Sequence, residues 1–317
     1  MCDDDSFDDM VAYRLRPSVL SRRGFGSLSL GAGLVSLLPI GCKSTDPTGP
    51  AITPTATASG SATAPTGTAL PTTESEVSIK TPDGDCDAYF VHPTAGAAPA
   101  VLVWPDIFGL RPAFRQMGKR LAESGYAVLV VNPFYRVKKA PTAPPHPDFN
   151  DKETREALMA LAKALTPETA VIDAKAFTAW LDQQSSVDKA RKIGTTGYCM
   201  GGPLVMRTAA AIPERVGAVA SFHGGGLVTD KPDSPHLLIP KTKAHFLIAI
   251  ASNDDAKQPD AKTTLKAAFA QASLPATVEV YEGAIHGWCP PDSQAYKADS
   301  AEKAWSSLLA LLKSALA

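Results

Sequence analysis

A chain of 317 residues with 44% apolar composition can hold one large domain, or two modest ones, around a real core. Its 31 Lys and Arg against 32 Asp and Glu leave a formal net charge of −1 with no long basic block. The electrostatic footprint of a nucleic-acid binder is therefore missing. The five cysteines (Cys2, Cys42, Cys86, Cys199 and Cys289) have no metal-site spacing and are too few for a disulfide scaffold, so neither a metal nor a cofactor is expected.

Residues 1–42 read as an address rather than as fold. Paired arginines, Arg22 and Arg23, precede a weakly apolar run from Gly24 to Ile40 that is rich in small residues, similar to a twin-arginine export signal. The run is shorter and less apolar than the roughly 20 residues that span a bilayer. It ends in Leu38-Pro39-Ile40-Gly41-Cys42, which resembles the lipobox of a bacterial lipoprotein, with Pro39 where an aliphatic residue is usual. The expectation is an exported protein, either tethered to the membrane through lipidated Cys42 or cleaved and free in the periplasm. Residues 43–75 are nearly all Thr, Ala, Pro, Ser and Gly. Such a stretch cannot bury enough apolar area to offset its ordering entropy and reads as a disordered linker.

From Glu76 to the C-terminus the pattern is that of one catalytic domain, residues 76–317, of the α/β class. Apolar, β-rich runs fall at Val77–Lys80, Asp87–His92, Ala100–Trp104, Ala127–Asn132, Lys192–Thr196, Val216–Phe222, His245–Ala251 and Thr277–Tyr281. Helical stretches lie at Pro112–Ser124, Lys152–Leu165, Glu168–Gln184, Pro203–Ala211, Ala261–Ala272 and Ala295–Leu316. The first two strands adjoin through Pro82-Asp83-Gly84, a turn signal, and predict an antiparallel hairpin. The others alternate with helices, which predicts a mostly parallel sheet covered on both faces.

The most informative stretch is Gly197-Tyr198-Cys199-Met200-Gly201-Gly202, between an apolar strand and a helix. In a nucleophile elbow the central residue sits on a sharp strand-to-helix turn, and small neighbours keep the turn free of collisions. The helix N-terminus aimed at the sulfur favours thiolate. An acid and then a histidine should follow in the chain. The strand His245–Ala251 leads to Asp254 and Asp255, of which Asp254 is the first choice and Asp255 the competitor. The last strand leads to His286 on a loop. The histidine moves the proton at the nucleophile, and the aspartate fixes its tautomer and stabilises imidazolium. Oxyanion donors are expected from the backbone N–H groups of Met200 and of Ile107, in the loop after Ala100–Trp104.

These residues carry a resemblance. Gly197–Gly202 is similar to the G-Y-C-x-G-G elbow of dienelactone hydrolases, and Asp106-Ile107-Phe108-Gly109-Leu110 resembles their acid-I-F-G segment. The likeness covers residues 76 to 316 and implies an α/β-hydrolase fold. It also implies that Asp106 is a resting-state partner of the thiol, and that Arg155 is one member of the arginine pair that holds a substrate carboxylate. The other arginine position is occupied by Pro290, so dienelactone itself is a doubtful substrate. Trp288 is read as a wall of the substrate pocket. His223 is assigned a structural role, with a place in the site as the alternative. Cys289, three residues after His286, is read as a small apolar packing residue, with a disulfide to Cys199 as the alternative. The expected protein is a monomeric hydrolase of a small ester, lactone or thioester. The competing reading is a non-catalytic exported lipoprotein that uses the fold to bind.

Overall fold

The computed structural model describes residues 69–317. Its strands are β1 (Thr72–Thr81), β2 (Gly84–Pro93), β3 (Ala100–Trp104), β4 (Ala127–Val131), β5 (Ile193–Tyr198), β6 (Val216–Phe222), β7 (His245–Ala251) and β8 (Ala276–Tyr281). They form one sheet in the order β1-β2-β4-β3-β5-β6-β7-β8. The hairpin β1–β2 is antiparallel and joins β4 antiparallel, and every pairing from β4 to β8 is parallel. At the hairpin turn the Thr81 hydroxyl donates to the Gly84 carbonyl at 2.8 Å and accepts from the Asp83 N–H at 3.1 Å.

The first strand starts earlier than composition suggests. Thr72–Ser75 already pair with Phe90–Pro93, and the Leu70 N–H donates to the Glu123 carbonyl. The Thr-rich stretch therefore contributes β-branched residues to an edge strand before residue 76. The expected export signal, the expected lipobox at Cys42 and residues 43–68 of the expected linker lie outside the described residues.

The helices are α1 (Pro112–Glu123), α2 (Lys152–Ala162), α3 (Pro167–Leu181), α4 (Gly201–Ala211), α5 (Ser252–Lys257), α6 (Ala261–Gln271) and α7 (Ala298–Ala315). Two cores follow from the sheet's two faces. On one, Phe114 and Leu121 of α1 and Leu308 and Leu312 of α7 pack on Val101, Val128 and Ala220. On the other, Phe177 of α3, Leu204 of α4 and Phe269 of α6 pack on Leu102, Leu129 and Val219. Pro at the first turns of α1 and α3, and the Thr166–Thr169 capping box of α3, fix the starts of helices whose first N–H groups have no intrahelical partner.

Strand β5 is central, yet its sequence is Ile-Gly-Thr-Thr-Gly-Tyr and every residue in it is buried. Packing explains the small residues: a Cβ on Gly194 would lie 2.6 Å from the Leu312 side chain of α7. The strand can be pressed from both sides only because it carries little bulk. Two elements have no apolar period to betray them: α5, with the sequence Ser-Asn-Asp-Asp-Ala-Lys, and a 3₁₀ segment at Pro235–Lys241. The first of these carries part of the site.

Candidate active site

Strand β5 ends at Tyr198 and α4 begins at Gly201, so Cys199 and Met200 make the whole turn between them. Cys199 adopts φ +52°, in the left-handed region that costs an ordinary residue conformational energy. The Cys199 N–H donates to the Phe222 carbonyl at 3.0 Å, and its carbonyl accepts from the Gly202 N–H at 3.0 Å. Two glycines are obligatory for steric reasons. A Cβ on Gly197 would run into the Gly201 carbonyl, and one on Gly201 would run into the Trp104 carbonyl. The elbow is thus wedged between β3 and α4. Trp104 completes the wedge by donating its indole N–H to the Thr208 hydroxyl of α4 at 3.1 Å.

The histidine arrives on the loop after β8. His286 Nδ1 lies 2.7 Å from Asp254 Oδ2, while Asp255 forms a salt bridge with Lys262 at 2.6 Å. The geometry therefore pairs His286 with Asp254 rather than Asp255. The one-and-a-half turns of α5 decide this, because neighbouring residues of a helix point about 100° apart. Two neighbours hold the loop in place. Asn253 Oδ1 accepts the His286 backbone N–H at 2.8 Å, and the Ser252 hydroxyl donates to the Ala284 carbonyl at 2.9 Å. Neither stands out in the sequence, since a polar residue in a strand-end loop is ordinarily solvated.

Burial alone would lower the basicity of the His286 imidazole. The Asp254 carboxylate and the Cys199 sulfur outweigh it, and together they hold the ring well above the usual histidine range. The Cys199 and His286 side chains are both largely enclosed, and His286 Nε2 is buried without a hydrogen bond to any protein group. Among the described residues, the N–H groups of Met200 and Ile107 are not spent on backbone carbonyls. No group of His, Cys, Asp and Glu among them could hold a metal ion.

The sequence pattern of the dienelactone hydrolase family matches residues 86–316. The chain belongs to the dienelactone hydrolase family. A carboxymethylenebutenolidase from Rhodococcus opacus is 28% identical over 224 residues, covering 69% of this chain and 82% of the relative. A putative carboxymethylenebutenolidase from Salmonella typhi is 27% identical over 239 residues, covering 73% and 84%. Among solved structures, a putative dienelactone hydrolase from Klebsiella pneumoniae superposes with a TM-score of 0.67 over 77% of this chain and 99% of that one. At 22% identity that likeness is one of α/β-hydrolase fold.

Two expectations, for Asp106 and for Trp288, meet a different arrangement. Asp106 does not turn to the thiol. Its two carboxylate oxygens accept from Arg111 Nη1 and Nη2 at 2.6 and 3.0 Å, and the Phe108 N–H donates to Oδ1 at 3.0 Å. A planar guanidinium five residues away offers this short carboxylate a bidentate charged bond, which is stronger than a contact with a thiol. Trp288 is no pocket wall. Gly287, at φ +91°, turns it into the core, where it is fully buried and stacked on Tyr281 with ring centroids 5.1 Å apart. Arg155 donates to the Phe149 and Asn150 carbonyls at 3.2 and 3.4 Å. Cys289 and Cys199 are both free thiols. Cys289 is buried in the core on the α1 and α7 side, Cys199 in the core on the other, and burial pushes the Cys289 thiol well above its usual range.

Arg111 is the feature that sequence reading missed. It also bonds Asp292 through Nε and Nη2, at 2.7 and 3.0 Å, and so ties the Asp106 loop to the loop that follows His286. Its guanidinium lies over the Phe108 and Phe114 rings, and the flanking carboxylates hold it charged despite burial. The side chains of Arg111 and Asp106 are 9% and 8% exposed, so the pair is shielded from water. Arg111→Met is expected to lower stability by about 3 to 5 kcal/mol, because it leaves the Asp106 carboxylate buried and unpaired. Urea denaturation monitored by circular dichroism measures this, and a loss below about 1 kcal/mol, the size of an exposed pair, would contradict it.

Proposed function

We propose that the protein hydrolyses a small ester or lactone, or a thioester, through an acyl-cysteine intermediate on Cys199. The observation that carries this reading is the short His286–Asp254 hydrogen bond beside a cysteine at φ +52° on the elbow. In the proposed cycle the Cys199 sulfur attacks the carbonyl carbon, and the N–H groups of Met200 and Ile107 donate to the oxyanion. The His286 imidazolium gives its proton to the leaving oxygen or sulfur. The same ring, now neutral, takes a proton from the water that attacks the acyl-cysteine, and Asp254 keeps it in the right tautomer throughout.

The charge pattern narrows the substrate. Arg111 is doubly paired with carboxylates, and Pro290 stands where the family's arginine is expected. This supports acyl groups without a free carboxylate over a dienelactone. A panel of p-nitrophenyl esters and neutral lactones, with and without an added carboxylate on the acyl chain, tests the reading. Acid-quenched reactions should carry the acyl group on the peptide that contains Cys199. An acyl adduct elsewhere, or none with turnover intact, would refute the covalent route.

The paired arginines, the short apolar run and Cys42 support export to the periplasm, with Cys42 as a lipid anchor. Full-length protein carrying Arg22→Lys and Arg23→Lys is expected to remain in the cytoplasm as precursor on fractionation. Export of the double variant at the wild-type level would count against the twin-arginine route.

A further inference from the structure

Beneath the catalytic ring lies a second imidazole. His223 follows β6 directly and is 1% exposed. Its ring meets His286 edge to face with centroids 5.0 Å apart, and meets Trp288 in the same manner at 5.0 Å. Trp288 in turn stacks on Tyr281. His286 thus rests on a column of rings rather than on solvent. The column is anchored at the nucleophile: the carbonyl of Phe222, one residue before His223, accepts the Cys199 N–H, and the His223 N–H donates to the Ala249 carbonyl at 2.8 Å.

Two properties of His223 make little sense for packing alone. Both ring nitrogens are buried without a hydrogen bond to any protein group, and the backbone adopts φ +41°, which disfavours a bulky residue. A phenyl ring would fill this place without orphaned polar atoms. Burial, with the charge of His286 added, drives His223 well below the usual histidine range, so it stays neutral beside the ring that carries the proton. The titratable groups around the pair are Asp254 from α5 and Cys199 from the elbow, both acting on His286, and Tyr198, whose ring lies 6.1 Å from His223.

We infer that His223 is a positioning residue for the reaction, a neutral imidazole dipole that holds the His286 ring and solvates it as imidazolium on the side closed to water. When His286 takes up a proton, as it does from the attacking water in the proposed cycle, positive charge forms on a ring with protein beneath it. A fixed neutral dipole there can meet the charge, and an apolar ring of the same shape cannot. This inference rests on the assignment of Cys199 and His286 as the reacting pair.

The experiment compares His223→Phe, His223→Met and His223→Asn with wild type, with Cys199→Ala run alongside. Phenylalanine keeps the ring and methionine fills the space adaptably should the ring variant not fold, while asparagine restores a dipole and tolerates the left-handed backbone. The apolar variants are expected to keep or raise Tm while kcat falls about 10- to 100-fold and KM stays within about twofold. The alkaline limb of their kcat/KM profile should move to lower pH, because the imidazolium loses stabilisation. Asparagine should recover most of kcat. An apolar variant with wild-type kcat and pH profile overturns the inference. So does a parallel loss of Tm and kcat in all three variants, which would mark a packing role only. If Cys199→Ala remains active, the assignment of the reacting pair fails instead, and the two failures are told apart.

Discussion

Cys199→Ala is expected to abolish ester hydrolysis, with a loss on the order of 10⁴ to 10⁶ in kcat, while the protein still folds. The size follows from the chemistry, since no other group stands on the elbow and a methyl group cannot form an acyl intermediate. Folding should survive because the side chain is small and sits at the end of the sheet rather than in its middle. The backbone is the greater risk, as the residue keeps φ +52°, and alanine bears that strain about as cysteine does. Circular dichroism and a thermal melt check the fold, and p-nitrophenyl ester turnover checks the chemistry. Turnover at more than about a tenth of the wild-type rate would remove Cys199 from the mechanism.

Asp254→Asn is expected to lower the rate by about 10⁴, as loss of the orienting carboxylate does in hydrolytic triads. Asp255→Asn should leave it nearly unchanged, because that carboxylate faces Lys262. The pH dependence gives a second test with a definite sign. His286 is held above its ordinary range, so protonated His286 contributes stability that is fully present below its unfolded pKa of about 6.5 and is lost as pH rises through the higher folded value. Removing the Asp254 charge lowers that folded value. The alkaline loss of stability in Asp254→Asn should therefore shrink, and the alkaline limb of kcat/KM should move to lower pH. Urea denaturation between pH 6 and 9 and a pH–rate profile measure the two effects. A variant whose alkaline limb stays where wild type has it would show that Asp254 does not set the His286 charge.

The elements of the site were legible in sequence to different degrees. Gly197-Tyr198-Cys199-Met200-Gly201-Gly202 was plain because its requirements are local: a strand before, a helix after, and no side chain where Gly197 and Gly201 pack. His286 followed from its place after the last strand. Asp254 was preferred to Asp255 without being decided, because the helix α5 that separates their directions is six residues long and polar. Arg111 and Asp292 were invisible as a pair, since 181 residues separate them and nothing local to either predicts the other. Trp288 was misplaced for a related reason. Its direction depends on the turn at Gly287 and on the ring column waiting in the core, and neither is written in its neighbours.

Taken by itself, the sequence determined the class of fold and the strand order along the chain, and it singled out Cys199 as the candidate nucleophile. Hydrophobic period and turn chemistry act over a few residues, and the chain order of candidate nucleophile, acid and histidine needs no coordinates to read. Tertiary structure alone decided the partners. It gave Asp106 to Arg111 rather than to the thiol, chose Asp254 over Asp255, and put His223 under His286. Such pairings depend on which side chains the sheet brings within about 3 to 5 Å of one another, and on which charge wins when several groups compete for one partner in a space closed to water.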